Sequence, residues 1–189
     1  AASDVYKRQE LTPALAGILF AAIVSDTLYF RSPTATLFDQ DTAKRLVEQA
    51  GIKDAEAFAM EVLRHGSAIG TMPVQDIVRN DIKEFDFGEH RITVSQINIM
   101  DRQQALERLG ELQKALNEFR KQEGYDLSLL MVTDILGEAT DLLAAGSPQT
   151  QLVHAFGEAA AEGCYHLPGV LSRKKQIIPP LTEAFRKQD

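Results

Sequence analysis

The feature that most constrains this chain is a short, unbroken apolar run, LSLLMVT, at Leu127–Thr133. A run of this length without polar alternation is typical of a strand buried on both faces of a sheet. Such a strand needs packing on each side, and the segment before it predicts one of these layers. Residues Asp101 to about Glu123 form a predicted helix that ends at Gly124. Its apolar stripe repeats at spacings of three and four: Leu106, Leu109, Leu112, Leu116 and Phe119.

Two further strand-like runs precede that helix. They lie at Ile82–Phe87 and Ile92–Ile99 and are joined around Gly88-Glu89 as a predicted hairpin. The apolar residues of the second run change phase midway, which predicts a bulge or an exit from the sheet. A strand at Ala139–Ala144 and a helix at Gln149–Phe156 follow the central run, and a last helix begins near two prolines. This order of elements indicates an α/β fold with a mixed sheet.

The first third of the chain is predicted to be helical. Helices are expected at Ala14–Val24, at 39–50 and at 54–65, with an irregular stretch at Ser25–Thr36 after the first. The first helix is apolar nearly all round, so we expect it to be buried. Its run of 11 apolar residues is too short for a membrane span, which needs about 20. Gly66–Pro73 is rich in turn-forming residues and is the best candidate for a domain boundary.

Composition narrows the classes of function. The chain has 20 Lys and Arg against 27 Asp and Glu, a formal charge of −7. An acidic chain is a poor general binder of nucleic acid or of anionic membranes, so neither is expected as a partner. Its one cysteine, Cys164, excludes an intramolecular disulfide and a cysteine-based zinc site. A reducing, cytoplasmic setting is therefore predicted.

Two segments could carry chemistry. Asp26 follows the buried apolar run, and an acid in that position either caps the backbone after it or binds a cation. Arg173, Lys174 and Lys175 follow a Pro-Gly turn and form either an anion-binding cluster or a solvated basic stretch. Lys83, between two acids, is by itself read as a surface residue. The four histidines show no metal-ligand spacing.

These segments resemble the motifs of a known family. Residues Ser25–Thr34, SDTLYFRSPT, resemble the S-D-[ST]-x-x-F-[KR]-S-P-T signature of the family II inorganic pyrophosphatases, which belong to the DHH phosphoesterase superfamily. Ser172–Gln176, SRKKQ, looks like their C-terminal motif. Asp81–Phe85 and Ser95–Asn98 fall where the family has its D-x-K-x-F and Q-V-N elements. The resemblance runs from about Leu11 to Arg186.

The resemblance implies a domain layout. Residues 11–66 are then the C-terminal tail of a DHH domain, and residues 67–189 a DHHA2 domain. Independently of the resemblance, residues 1–10 are predicted to be a disordered lead-in or an artefact, because the start of the chain is polar and has no periodic pattern. The resemblance also implies that the chain acts in the hydrolysis of inorganic pyrophosphate to two phosphates, at a cleft between the two domains. Full-length members of the family look like homodimers, so a homodimer is expected of the whole protein.

The resemblance also assigns the site residues. Asp26 aligns with a metal ligand, and Lys83, Arg173 and Lys174 align with the cations that grip pyrophosphate. Two divalent ions, Mn²⁺ or Co²⁺, would polarise a bridging water for attack on phosphorus, and Mg²⁺ would accompany the substrate. The basic groups would neutralise charge on the substrate and the leaving phosphate.

One departure from the family pattern is large. The family's H-x-x-x-D-x-D and D-H-H motifs, and a further aspartate, are not found in this sequence. We therefore predict that the chain alone is inactive. An exopolyphosphatase of the same superfamily and a non-catalytic phosphate- or nucleotide-binding module remain alternatives. Tyr165–Val170 and Ile178–Leu181 look most like the subtype that carries an inserted CBS-domain pair, which would add adenine nucleotides as ligands.

Overall fold

The computed structural model describes residues 11–67 and 69–186. The prediction made for residues 1–10 therefore lies outside the described residues. The described chain forms two units that divide between His65 and Gly66.

In the described part of the N-terminal unit, residues 11–65, the chain forms α1 (Pro13–Thr27), α2 (Leu37–Ala50) and α3, whose range is Ala55–Gly66. Helix α2 begins two residues earlier than the sequence pattern predicts, because Thr36 and Asp39 form a reciprocal capping box there. Gly51 ends the helix in the left-handed conformation that glycine adopts readily.

Helix α1 is buried on one side only, so the expectation of a fully buried helix is wrong. Phe20 and Val24 are buried, whereas Leu15, Ile18 and Leu19 are 44, 66 and 38% exposed. Within this unit α1 packs mainly on α2, and one neighbouring helix covers one side of a cylinder. No helix in residues 11–67 or 69–186 is long and apolar enough to cross a membrane.

The C-terminal unit is built on a mixed five-stranded sheet, as predicted. Its strand order follows the sequence, β1-β2-β3-β4-β5. Strands β2 and β3 pair in parallel and every other neighbouring pair is antiparallel. The strands are β1 (Lys83–Phe87), β2 (His90–Ile99), β3 (Leu127–Asp134), β4 (Ala139–Gly146) and β5 (Cys164–Pro168).

Four helices and one π-helical turn surround the sheet. They are α4 (Val74–Ile77), α5 (Arg102–Glu123), α6 (Gln149–Phe156), the π-helical turn (Arg173–Ile177) and α7 (Ile178–Arg186). Helix α5 forms the crossover that parallel strands require. Strand β5 was not predicted, because its sequence, CYHLP, is short and ends in a proline, which only an edge strand tolerates readily.

Strand β2 contributes to a core on each face of the sheet. Ile92 and Val94 pack in the core beneath α7, whereas Ile97 and Ile99 pack in the core beneath α5. The change of phase marks a strand that is buried on both faces. Its register with β3 is unbroken from Ile92 to Ile99, so the predicted bulge or exit in β2 is wrong.

Helix α5 follows the predicted stripe with one exception. Leu112, Leu116 and Phe119 are buried against the sheet, but Leu106 is 37% exposed. Ala105 is fully buried instead, in the core to which Ile77 of α4 also contributes.

Candidate functional site

Asp26 lies at the exposed end of α1. The three residues after the helix, Leu28, Tyr29 and Phe30, all have positive φ (51°, 50° and 67°). Thr27 stabilises this left-handed turn: its hydroxyl donates to the Ile23 carbonyl (2.6 Å) and accepts from the Phe30 amide (3.1 Å). Thr27 thus does the capping that was one of the two interpretations of Asp26.

The Asp26 carboxylate itself has no hydrogen bond or ion pair with any residue in the described ranges. It lies in the last turn of α1, at the negative end of the helix dipole, where a carboxylate is disfavoured. The cation-binding interpretation of Asp26 is compatible with this position and stays a prediction.

The remaining polar residues of the signature form hydrogen bonds within the same segment. The Ser32 amide donates to the Thr27 carbonyl (2.9 Å), and the Ser32 and Thr34 hydroxyls lie 2.7 Å apart. The Ser32 hydroxyl also accepts from the Thr34 amide (3.3 Å). The serine and threonines of the signature therefore fix the backbone that follows Asp26.

The described residues do not form a complete divalent-metal centre. No group of three or more His, Cys, Asp or Glu side chains that could hold a metal ion occurs in residues 11–67 and 69–186. Open metal sites generally need about three protein ligands, and Asp26 supplies one carboxylate. The donor set present here therefore does not fit manganese without further ligands.

Arg173 begins the π-helical turn and is held against the sheet. Its side chain is only 10% exposed. Nη1 donates to the carbonyls of Asp81 and Val94, the latter at 2.9 Å. Nη2 donates to the Asp81 carboxylate at 3.0 Å. The guanidinium thus reaches the chain just before β1 and the middle of β2.

Lys83 is brought to the same place. In the β1–β2 ladder Lys83 is the direct partner of Val94, the residue whose carbonyl accepts from Arg173. Paired residues project from the same face of a sheet, so Lys83 lies on the same face as Val94, and the core on that face also contains Ile177 of the π-helical turn that Arg173 begins. Lys174 follows in the turn and is exposed. Within the described ranges neither Lys83 nor Lys174 pairs with a carboxylate, so both ammonium groups are available to an anion.

Gln176 holds the loop that leads into the turn. Its Oε1 accepts from the amides of Leu171 (2.9 Å) and Ser172 (3.0 Å), and its Nε2 donates to the Gly169 carbonyl (2.7 Å). The Ser172 hydroxyl accepts from the Lys175 amide (3.3 Å). Sequence reasoning assigned no role to these two polar residues, although they flank the three cations of the motif.

A polar seam, which we define as Gln96, Thr133 and Thr140, supports the same loop from the sheet. The Thr140 hydroxyl donates to the Val170 carbonyl (2.6 Å) and lies 3.1 Å from the Thr133 hydroxyl. Gln96 Nε2 lies 3.4 Å from Thr133 Oγ1 and 3.5 Å from the Leu171 carbonyl. The seam accounts for the polar side chain of Gln96 within a buried sheet.

The buried carboxylate of Asp141 links β4 to β5 near this loop. Asp141 is 4% exposed, and its carboxylate accepts from Arg102 Nε (2.9 Å) and Nη2 (3.0 Å) and lies 2.7 Å from His166 Nδ1. Burial opposes ionisation, but the hydrogen bonds from Arg102 and His166 outweigh it and hold the pKa of Asp141 below its usual value. Sequence reasoning missed this cluster, although an aspartate inside the apolar Ala139–Ala144 run was a signal for it.

Cys164 carries no reactive-thiol signature. Burial, reinforced by the charge of Asp141, raises the pKa of its thiol. A thiol with a raised pKa stays protonated and is a poor nucleophile.

Comparison with models of known protein families identifies the family of this chain. The model of the DHHA2 domain family matches residues 60–184, about two thirds of the sequence. This chain belongs to the DHHA2 domain family.

Individual proteins of similar sequence then show which members of this family the chain resembles. The chain is 39% identical over 179 residues to a manganese-dependent inorganic pyrophosphatase of Methanocaldococcus jannaschii, covering 95% of this chain and 58% of that protein. It is 37% identical over 186 residues to a Lactobacillus delbrueckii subsp. bulgaricus protein assigned the same activity, covering 96% of this chain and 60% of the relative.

A solved structure agrees with the sequence relatives. The crystal structure of a Methanococcus jannaschii protein assigned to the family II inorganic pyrophosphatases has a TM-score of 0.85 and 39% identity, and the match covers 95% of this chain and 58% of that one. The resemblance that the motifs indicated is confirmed. The chain spans about three fifths of the length of the relatives it matches.

Proposed function

We propose that this chain supplies the pyrophosphate-binding cations of a manganese-dependent inorganic pyrophosphatase, which hydrolyses inorganic pyrophosphate to two phosphates. The observation that carries the proposal is the convergence of Lys83 and Arg173 at Val94 on one face of the sheet. Its second support is the similarity to proteins assigned this activity along nearly the whole chain.

The three cations suit a diphosphate. Arg173 offers a planar fork that can contact two phosphoryl oxygens, and Lys83 and Lys174 add compact point charges. Pyrophosphate carries several negative charges, and hydrolysis places further charge on the leaving phosphate. Cations that are already fixed in position stabilise that charge without reorganising during the reaction. Arg173, which is almost fully enclosed, is suited to this task.

The metal requirement belongs to the same proposal. The relatives are named as manganese-dependent, so Mn²⁺, with Co²⁺ as the alternative and Mg²⁺ on the substrate, is the expected metal set. Asp26 would supply one ligand of a two-ion centre, and the described residues contain no group of three or more His, Cys, Asp or Glu side chains that could complete it. We therefore expect no hydrolysis by the 189-residue chain alone. Manganese-dependent phosphate release from this purified chain would contradict that expectation.

Calorimetric titration with imidodiphosphate, a non-hydrolysable analogue of pyrophosphate, tests the binding proposal. Arg173→Ala should weaken binding at least about tenfold, because it removes charged hydrogen bonds to the anion. Lys83→Ala and Lys174→Ala should each weaken it less, because each removes one solvated point charge. Lys121→Ala, an exposed cation near the end of α5, is the matched control and should leave the affinity unchanged. Equal affinity of wild type and Arg173→Ala would overturn the proposal.

The same titration separates the alternatives. Tripolyphosphate that binds more tightly than imidodiphosphate would favour an exopolyphosphatase. An adenine nucleotide that binds at these cations more tightly than either would favour a nucleotide-binding module. The homodimeric state, the CBS-containing subtype and the cytoplasmic location stay predictions from the resemblance and the composition.

A further inference from the structure

Asp81 has an unusual backbone conformation just before β1. Its φ is +43°, a left-handed value that residues other than glycine rarely adopt. The regular register of β1 and β2 would place Asp81 opposite Gln96. The Gln96 amide instead donates to the Asn80 carbonyl (3.0 Å), and Asn80 Nδ2 donates to the Gln96 carbonyl (2.7 Å). Asp81 is therefore one residue more than the regular register would need just before β1, as in a β-bulge.

This conformation directs two acceptors of one residue to the same partner. The Asp81 carbonyl accepts from Arg173 Nη1, and its carboxylate accepts from Arg173 Nη2. The Val94 carbonyl accepts from Nη1 as well. Strained backbone that is held by the surrounding structure is a feature of functional sites. Here the strained residue, Asp81, contacts Arg173, which is proposed to bind substrate.

The donor count shows what is left for a ligand. A guanidinium has five N–H donors, and Asp81 and Val94 take both donors of Nη1 and one of Nη2. Within residues 11–67 and 69–186, the donors that remain without an acceptor are Nε–H and the second Nη2–H. Nε and Nη2 form the side edge of the guanidinium, which can meet two oxygens of a phosphoryl group at once.

We propose that Asp81 is a positioning residue that fixes the Arg173 guanidinium so that its Nε–Nη2 edge is the one offered to phosphoryl oxygens. This inference rests on the proposed function. A fork that is held in place before binding loses less side-chain freedom when the anion arrives, so its two hydrogen bonds contribute more to affinity.

Simple electrostatics predicts the opposite effect of Asp81. A carboxylate beside an anion site repels the anion, so its removal would tighten binding if charge alone mattered. The Asp81 side chain is 55% exposed, and water screens the charge of an exposed group. Positioning therefore outweighs repulsion, and the direction of the change in affinity distinguishes the two effects.

The test compares Asp81→Gly and Asp81→Asn by calorimetric titration with imidodiphosphate. Glycine accepts the +43° backbone and keeps the carbonyl contact, so this variant removes the carboxylate alone. Asp81→Gly should bind about tenfold more weakly, the loss expected for one hydrogen bond to a charged group. Asp81→Asn should fall between the two, because its amide oxygen still accepts. Thermal unfolding by circular dichroism checks that both variants fold.

Two controls make the result specific. Asp86→Asn changes the net charge equally, but at an exposed residue of β1 that has no hydrogen bond or ion pair with Arg173 in the described structure, and it should leave the affinity unchanged or slightly raised. In an Arg173→Ala background, Asp81→Gly should have no further effect, because the group it positions is gone.

The outcomes separate this inference from the proposed function. If Arg173→Ala leaves binding unchanged, the proposed function fails. If Arg173→Ala weakens binding but Asp81→Gly binds as tightly as wild type or more tightly, the positioning role of Asp81 is overturned and the proposed function stands. Without ligand, ¹⁵N relaxation of Arg173 Nε should show a rigid group in wild type and a mobile one in Asp81→Gly. Equal mobility in both would also overturn the inference.

Discussion

The two signature segments of this chain are held in different ways. In the N-terminal segment, Ser25–Thr34, the side-chain hydrogen bonds join residues two to four positions apart. In the C-terminal segment, Ser172–Gln176, Arg173 bonds to Val94 and Asp81, which lie 79 and 92 positions earlier. The shape of the first segment is therefore encoded locally, whereas the arrangement of the second depends on a folded sheet.

The difference extends to the charged groups. Asp26 is exposed and has no hydrogen-bond or ion-pair partner among the described residues, while the Arg173 side chain is 10% exposed and bonds to acceptors of Asp81 and Val94. An exposed carboxylate needs only a local turn to hold its backbone. An enclosed cation needs acceptors from several elements, because burying it without them is costly. A substitution that destabilises the sheet should therefore disturb the structure of the C-terminal segment and leave that of the N-terminal segment unchanged.

The largest effect is expected from Ile177→Ala. Ile177 is the last residue of the π-helical turn. Its side chain is fully buried in the core that Leu142 and Leu181 also form. Truncation should lower the free energy of unfolding of the C-terminal unit by about 2–4 kcal/mol, because it leaves a cavity. Hydrogen exchange measured by mass spectrometry should show faster exchange in β3 and β4 and unchanged exchange in α1.

Ile18→Ala is the matched control in the other unit. Ile18 is 66% exposed, so its truncation should change stability by less than about 0.5 kcal/mol. Faster exchange in α1 caused by Ile177→Ala would contradict the local encoding of the first segment.

An intermediate effect is expected from Asp141→Asn, which tests a second long-range contact near the loop. The change should cost about 1–3 kcal/mol, because it weakens charged hydrogen bonds to a buried group. The pKa of Asp141 is lowered in the folded state, so its contribution is fully present above the ordinary aspartate value of about 3.9 and is lost as pH falls toward the lowered value.

Urea unfolding at several pH values measures this contribution. The difference in stability between wild type and Asp141→Asn should be constant from about pH 5 to 7 and should shrink below about pH 4. A difference that stays constant down to pH 2 would show that the ionised carboxylate is not what stabilises β4 and β5.

The smallest effects should come from the caps of the two segments. Thr27→Val keeps the shape of the side chain but leaves the Phe30 amide without its acceptor, at a cost of about 1–2 kcal/mol. Ser172→Ala removes a longer, 3.3 Å cap bond and should cost about 0.5–1 kcal/mol. Hydrogen exchange should be faster around Tyr29 in the first variant and around Lys175 in the second. A larger loss of stability for Ser172→Ala than for Thr27→Val would contradict this order of the two caps.

Most elements of the fold could be predicted from the sequence. The helices α1, α5 and α6, the hairpin of β1 and β2, and the buried strand β3 all follow from periodicity, from caps and from turn residues, which act over a few positions. The predictions that were wrong concern packing. The exposed side of α1 and the unbroken register of β2 depend on which elements lie on each face, and local patterns do not contain that information.

The candidate site could be predicted in part for the same reason. Asp26, Lys83, Arg173 and Lys174 were named from their motifs, and the structure brings Lys83 and Arg173 together. The partners that hold Arg173 were not predicted. Asp81 and Val94 become its neighbours only when β1 and β2 pair and the π-helical turn packs on them.

The α/β class, the family resemblance and the identity of the cations were predictable from the sequence, because composition, periodicity and motif residues are properties of short stretches of chain. The folded structure was needed to show that, among the described residues, three donors of Arg173 are occupied and its Nε–Nη2 edge keeps two donors without an acceptor. It also decided that Asp141 stays ionised although it is buried. Both features depend on hydrogen bonds between residues far apart in sequence, and such bonds form only where folding excludes water and fixes the direction of donors and acceptors.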